Sequence, residues 1–152
     1  MRLTRFTDYS FRVLIFLGLH LDERVSIKEI AATYNISRHH LMKVVSNLTN
    51  KGYLKTWRGP GGGIALARPA NEINVANVIR DMEEDLNIVA CFAGPNLCVI
   101  DPVCRLKEIM HDALSAYMRE LERYNLQDLL EENPRLRCIL VTQNALSSTQ
   151  AS

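Results

Sequence analysis

The sequence lacks any run of the roughly 18 apolar residues that a membrane-spanning helix needs. It has no internal repeat, and none of its four cysteines stands in the two-to-four-residue pairing usual for zinc ribbons. No glycine-rich oxyanion motif adjoins a candidate nucleophile. Cys104 and His111 lie seven positions apart on one helical pattern, too far apart for a hydrogen bond, so an enzymatic reading finds no support. The apolar run Val13–Leu19 behind Arg2, Arg5 and Arg12 imitates a secretion signal. It is followed by His20, Leu21, Asp22 and Glu23 rather than by small residues. The chain therefore reads as cytoplasmic, with no membrane partner and with reduced thiols that point to metal, cluster or redox chemistry.

What is present is unevenly charged. The formal net charge is only +1, yet residues 1–70 hold eleven Lys/Arg against four Asp/Glu, and the remainder reverses the balance. A basic first half implies an anionic partner, of which double-stranded DNA is the commonest.

Hydrophobic periodicity predicts a helix over Phe6–Leu21 with a stripe of Phe11, Leu14, Ile15 and Gly18. Ser26-Ile27-Lys28-Glu29 reads as a capping box opening a short helix. Asn35-Ile36-Ser37 forms a turn, and the next helix runs to about Lys51 with Leu41, Val44, Val45 and Leu48 facing inward. Gly52 then supplies its left-handed stop. Tyr53–Trp57 and Ile64–Ala67 read as strands joined by a glycine-rich tip. Asn74 caps a further helix, residues 85–103 read as irregular, and the longest helix spans about Val103–Tyr124. Asn125 caps a last short helix.

Short helix, turn, second helix and hairpin make a winged helix-turn-helix. The expected fold is thus mainly α with a small β-hairpin: a DNA-binding unit over 1–84, a cysteine loop over 85–104, a dimerisation helix and C-terminal helix over 103–143, and a disordered tail over 144–152. Ser37, Arg38, His39 and His40 open the second helix and are free to meet bases or phosphates, with Lys43 and Asn47 extending that face. Arg58 with Gly59, Gly61 and Gly62 suits entry into a narrow minor groove. Arg2, Arg5, Lys51, Lys55 and Arg68 are candidate phosphate contacts.

Cys91-x6-Cys98-x5-Cys104 suits an iron–sulfur cluster with a different fourth ligand. The plainer alternative is three cysteines acting as small core residues. Cys138, inside the apolar run Leu136–Val141, reads as core. The stripe of Leu106, Ile109, Met110, Ala113, Leu114, Tyr117, Met118 and Leu121 on the longest helix requires a partner surface.

Leu3-Thr4-Arg5-Phe6-Thr7-Asp8-Tyr9, the wing Arg58-Gly59 with Gly62-Gly63-Ile64 and Leu66, and Cys104-Arg105-Leu106-Lys107 together resemble the Rrf family of bacterial winged-helix regulators. The likeness extends from Met1 to about Val141. It implies a homodimer held by the long helix, with one iron–sulfur cluster (4Fe–4S or 2Fe–2S) per subunit on Cys91, Cys98 and Cys104. In the family's nitric-oxide-sensing branch an aspartate near the N-terminus of the other subunit completes the site, and Asp8 matches it. The cluster-biogenesis branch has a histidine where this chain has Lys107. The function implied is a transcriptional repressor responding to nitric oxide. The alternatives are an iron or cluster-status sensor of the same family and a thiol–disulfide switch without a cluster.

Overall fold

The computed structural model describes residues 2–21, 23–95, 98–131, 135, 136 and 138–140. Among the described residues the main elements follow in the order α1 (Arg5–Gly18), α2 (Ile27–Tyr34), α3 (Arg38–Asn50), β1 (Leu54–Trp57), β2 (Gly63–Leu66), α4 (Val75–Met82), α5 (Arg105–Glu122) and α6 (Leu126–Glu131). This is the expected winged-helix architecture with a long appended helix.

Local chemistry fixes the boundaries. Thr4 caps α1 by accepting the Thr7 N–H, and Ser26 and Glu29 close a reciprocal capping box on α2. Asn35, at φ 51°, makes the left-handed stop between α2 and α3. Asn125 and Asp128 exchange side-chain and backbone hydrogen bonds at the start of α6. β1 and β2 pair antiparallel, Leu54 opposite Leu66 and Trp57 opposite Gly63, and Val25 forms an isolated antiparallel bridge to Ile64 on the other edge of β2.

α1 runs through the centre of the core. Its fully buried apolar residues are Val13, Leu14, Phe16 and Leu17, so the expected stripe is rotated: Phe11 and Ile15 are only half-buried. The rotation arises because α1 is covered on several sides, by α2, α3, α4, β2 and α6. The inward face of α3 is as expected, with Leu41, Val44, Val45 and Leu48 buried. Leu126 and Leu140, which follow α5 in the chain, belong to the same core cluster as α1. Gly18 gives α6 room to approach, since a Cβ there would come within 2.6 Å of Leu130.

Cys138 departs from expectation. It is exposed, and Leu140 two positions on is the residue that reaches the core. The expected tail over 144–152, and the end of the C-terminal element beyond 140, lie outside the described residues.

Candidate nucleic-acid interface and cysteine loop

α3 presents an exposed edge of Ser37, Arg38, His39, His40, Met42 and Lys43. Ser37 occupies the cap position of α3, but its hydroxyl makes no capping bond. Donors at this helix end are thus left for an outside acceptor. His39, Met42, Lys43, Ser46 and Asn50 line a shallow surface depression, while His40 turns with Lys43 toward Arg5 and Tyr9 of α1. Asn47 is half-buried and its amide lies 3.9 Å from Met82 Sδ, so it faces α4 as well as that depression. Met42 is 50% exposed and was missed by the sequence reading. The inward phase of Leu41, Val44 and Val45 placed it outward, and its thioether suits apolar contact with a thymine methyl.

The wing tip is a tight turn. The Gly62 N–H donates to Gly59 O at 2.9 Å, with Pro60 and Gly61 between them. Gly61 at φ 74°, after a proline, fits a type II turn. A Cβ on Gly59 or Gly61 would meet nothing within 4 Å, whereas one on Gly62 would strike Trp57 O at 2.5 Å. Gly62 therefore serves the turn, and Gly59 and Gly61 leave the tip slim beside the exposed Arg58.

The candidate phosphate contacts divide into two groups. Arg2, Arg5 and Lys55 are exposed. Lys51 instead pairs with Asp81 at 3.1 Å, and Arg68 stacks on Tyr53 while donating to Gly52 O and Lys51 O. Those two cations lock the corner between α3 and β1. Asp81 also accepts from Tyr53 Oη at 2.6 Å. Burial opposes ionisation of Asp81, but the Tyr53 and Lys51 hydrogen bonds and the Lys51 and Arg68 charges outweigh it and hold its pKa below the usual carboxylate value.

The residue after Met82 makes a second set of ties. Glu83 Oε1 accepts from Thr4 N at 2.8 Å, Thr4 Oγ1 at 3.1 Å and Thr7 Oγ1 at 2.5 Å. Asp81, Met82 and Glu83 thus touch the end of α3, the entry to β1 and the start of α1. Sequence reasoning singled out neither Asp81 nor Glu83, because their partners lie 28 to 79 positions away.

The cysteine loop begins directly beyond. Cys91 and Cys104 are half-buried and Cys98 is exposed, all three as free thiols. Cys91 sits in a 3-10 turn over Ala90–Phe92, and Cys104 is the cap residue of α5. Lys107 donates to Asp101 at 2.6 Å. That hydrogen bond raises the Lys107 pKa, desolvation opposes it, and the negative charges of Asp101 and of ionised Cys91 and Cys104 raise it further. Leu86, Cys91, Phe92, Pro95, Lys107 and His111 help to line a cavity of about 700 Å³ between loop and α5. The exposed His111 packs edge-on against Phe92.

Three soft thiol donors on one loop fit an iron–sulfur cluster in chemistry. Among the described residues, however, no three such donors come close enough together to hold a metal ion, so loading would require the loop to rearrange. Asp8 is exposed on α1 and paired with Arg12 at 2.9 Å.

The exposed apolar residues of α5 include Leu106 at 61% and Ile109 at 50%, and only Met118 of its stripe is buried. No helix among the described residues is long and apolar enough to cross a membrane.

Residues 3–132 match the Rrf2 family, described as an iron-dependent transcriptional regulator. The chain is 49% identical over 142 residues to the HTH-type transcriptional regulator NsrR of Geobacillus kaustophilus, covering 92% of this chain and 97% of the relative. The regulator of the same name from Bacillus subtilis is equally similar, at 49% identity over 142 residues with the same coverage. Among solved structures, CymR, the global cysteine regulator of B. subtilis, superposes with a TM-score of 0.71 at 25% identity, covering 88% of this chain and 98% of that one.

Proposed function

The chain belongs to the Rrf2 family of transcriptional regulators and is not an enzyme, and on that premise we propose that it is a cytoplasmic, homodimeric repressor whose Cys91, Cys98 and Cys104 hold one iron–sulfur cluster per subunit and which leaves its operator when nitric oxide reaches that cluster. The carrying observation is covalent and geometric. The loop with the three free thiols follows directly from Asp81-Met82-Glu83, whose side chains hold α1, α3 and β1.

The DNA contacts follow from the exposed surfaces. Ser37, Arg38, His39, His40 and Lys43 meet the major groove, and Arg58 with Gly59, Gly61 and Gly62 forms the tip that enters the minor groove. Arg2 and Lys55 lie over the phosphates. Leu106 and Ile109 of α5 face the partner subunit.

When bound, the cluster supplies iron that a small diatomic molecule can reach. Cys91, Cys98 and Cys104 would hold the cluster and with it the shape of the loop, and Asp8 of the other subunit would supply the remaining ligand. Once that hold is lost, the loop pulls differently on Glu83. The carboxylate then no longer seats Thr4 and Thr7 as before, and α3 changes its position relative to its mate. Binding to two half-sites depends on that spacing. A change of a few kcal/mol alters occupancy by two to three decades.

The exposed Cys98 thiol favours a second reading, a thiol–disulfide switch without a cluster. Anaerobic purification separates the two. The first requires a visible charge-transfer spectrum with stoichiometric iron and sulfide, and operator binding that nitric oxide abolishes. A colourless, iron-free protein whose DNA binding responds to oxidant and thiol overturns the first and establishes the second.

A further inference from the structure

The wing carries a cation that no motif pointed to. Val25 bridges Ile64 antiparallel, which sets Arg24 level with Ala65, and Ala65 pairs with Lys55. Arg24, Lys55 and Trp57 therefore share the outer face of the hairpin, opposite the buried Ile64 and Leu54. From its place beside β2 the Arg24 side chain crosses Gly63 and lies over Trp57, with its guanidinium carbon 4.5 Å from the ring centroid. Glycine leaves room for the crossing. A Cβ on Gly63 would stand 3.1 Å from Arg24 Cβ and 3.0 Å from Val25 O.

A guanidinium stacked on an indole keeps its edge N–H groups directed outward and loses little freedom when they bind. Trp57 is still 38% exposed, and Arg24 is exposed next to the Arg58 tip. A planar, oriented donor fork beside a groove-entering tip matches the oxygens of a phosphodiester.

We propose that Arg24, carried on Trp57 across the side-chain-free Gly63, is a DNA-backbone contact that clamps a phosphate flanking the groove entered by the wing. This rests on the reading of the chain as a DNA-binding protein. It adds a site made of two residues 33 positions apart in sequence, with Trp57 as the positioning residue.

The test is binding of the full chain to a mixed-sequence fluorescent duplex across a salt series, for wild type and for Arg24→Gln, Trp57→Leu and Arg58→Ala. Melting temperatures confirm that each variant folds. Each lost phosphate contact removes about 0.9 from the log–log salt slope, so Arg24→Gln in a dimer lowers the slope by about 1.8. Its deficit against wild type then shrinks about tenfold between 50 and 200 mM salt. Trp57→Leu, which keeps the charge but frees it, weakens binding with a smaller change of slope. If Arg24→Gln binds as wild type while Arg58→Ala binds worse, the clamp is refuted and DNA binding stands. Weaker binding at an unchanged slope refutes it too, because that marks a structural role alone. If the wild type shows no salt-dependent binding, the DNA reading itself falls, and the clamp with it.

Discussion

Glu83 Oε1 and Thr7 Oγ1 lie 2.5 Å apart, joining the residue that follows α4 to the first turn of the helix at the centre of the core. Thr7 is fully buried, and Glu83 is also the acceptor for Thr4, the cap residue of α1. A carboxylate at that position satisfies orphan donors and is favoured by the positive end of the helix.

Glu83→Gln should therefore loosen the connection more than it destabilises the fold. Replacing a charged acceptor by a neutral one costs about 1–2 kcal/mol, seen as a lower melting temperature. Operator affinity of the cluster-loaded protein should fall, and its contrast with the nitric-oxide-treated protein should narrow. A variant with the full contrast would place the coupling elsewhere.

Salt dependence tests the interface as a whole. About six phosphate contacts per dimer give a log–log slope near −5. Arg58→Ala should weaken binding most where A·T-rich sequence narrows the minor groove. Arg38→Ala should relax discrimination at one base pair per half-site, by about 1–3 kcal/mol. These effects are read from competition with substituted operators.

The dimer surface is tested on α5. Ile109→Glu places a charge on an exposed apolar position, so the isolated chain tolerates it while an α5-mediated dimer does not. Sedimentation should show monomer with unchanged helical content. A persistent dimer would remove α5 from the interface.

The ligands separate on substitution. Cys98→Ala should lose the visible spectrum. Asp8→Ala should keep iron on three thiolates, with an altered spectrum and weaker operator binding. If Asp8→Ala matches wild type in spectrum, affinity and response to nitric oxide, the carboxylate serves only Arg12 and the first turn of α1.

Asp81 sets an acid limit. Its folded pKa is held below the ordinary 3.8, so its contribution is present at neutral pH and is lost as pH falls below about 4. Asp81→Asn should lower stability at neutral pH by about 1–2 kcal/mol, because the Tyr53 hydroxyl and Lys51 lose an ionised partner. The deficit should shrink below pH 4, measured by denaturant unfolding across pH.

Much of the fold was legible because it is locally encoded. Ser26 with Glu29, Asn74, Asn125 and the phase of Leu41, Val44, Val45 and Leu48 each declare their element within a few residues. The stripe on α1 was half right, with Leu14 and Gly18 buried but Phe11 and Ile15 only half-buried against the core, since a helix covered on several sides has no single apolar face. Cys138 misled for a related reason: an apolar run does not say which of its residues turns inward. Arg24 and Glu83 were invisible because their partners, Trp57 and Thr7, come together only through tertiary structure. The cysteine spacing was plain in the sequence, while the pairing of Lys107 with Asp101 beside the cavity that Cys91 lines required the fold.

The return of the chain after α5 has a consequence for biosynthesis. Leu126 N–H donates to Ile73 O at 2.8 Å, Val75 N–H donates to Tyr124 O at 3.0 Å, and Leu130 fills the space over Gly18. The winged-helix core is sealed by residues translated some forty positions after α4 ends. A nascent chain with α1 to α4 already outside the ribosome still exposes the Gly18 side of α1. It must wait through synthesis of the cysteine loop and α5 before α6 can close over it. The chain therefore completes its winged-helix core only once the cysteine loop and α5 exist, so the helix-turn-helix unit cannot close before the loop that follows it has been made.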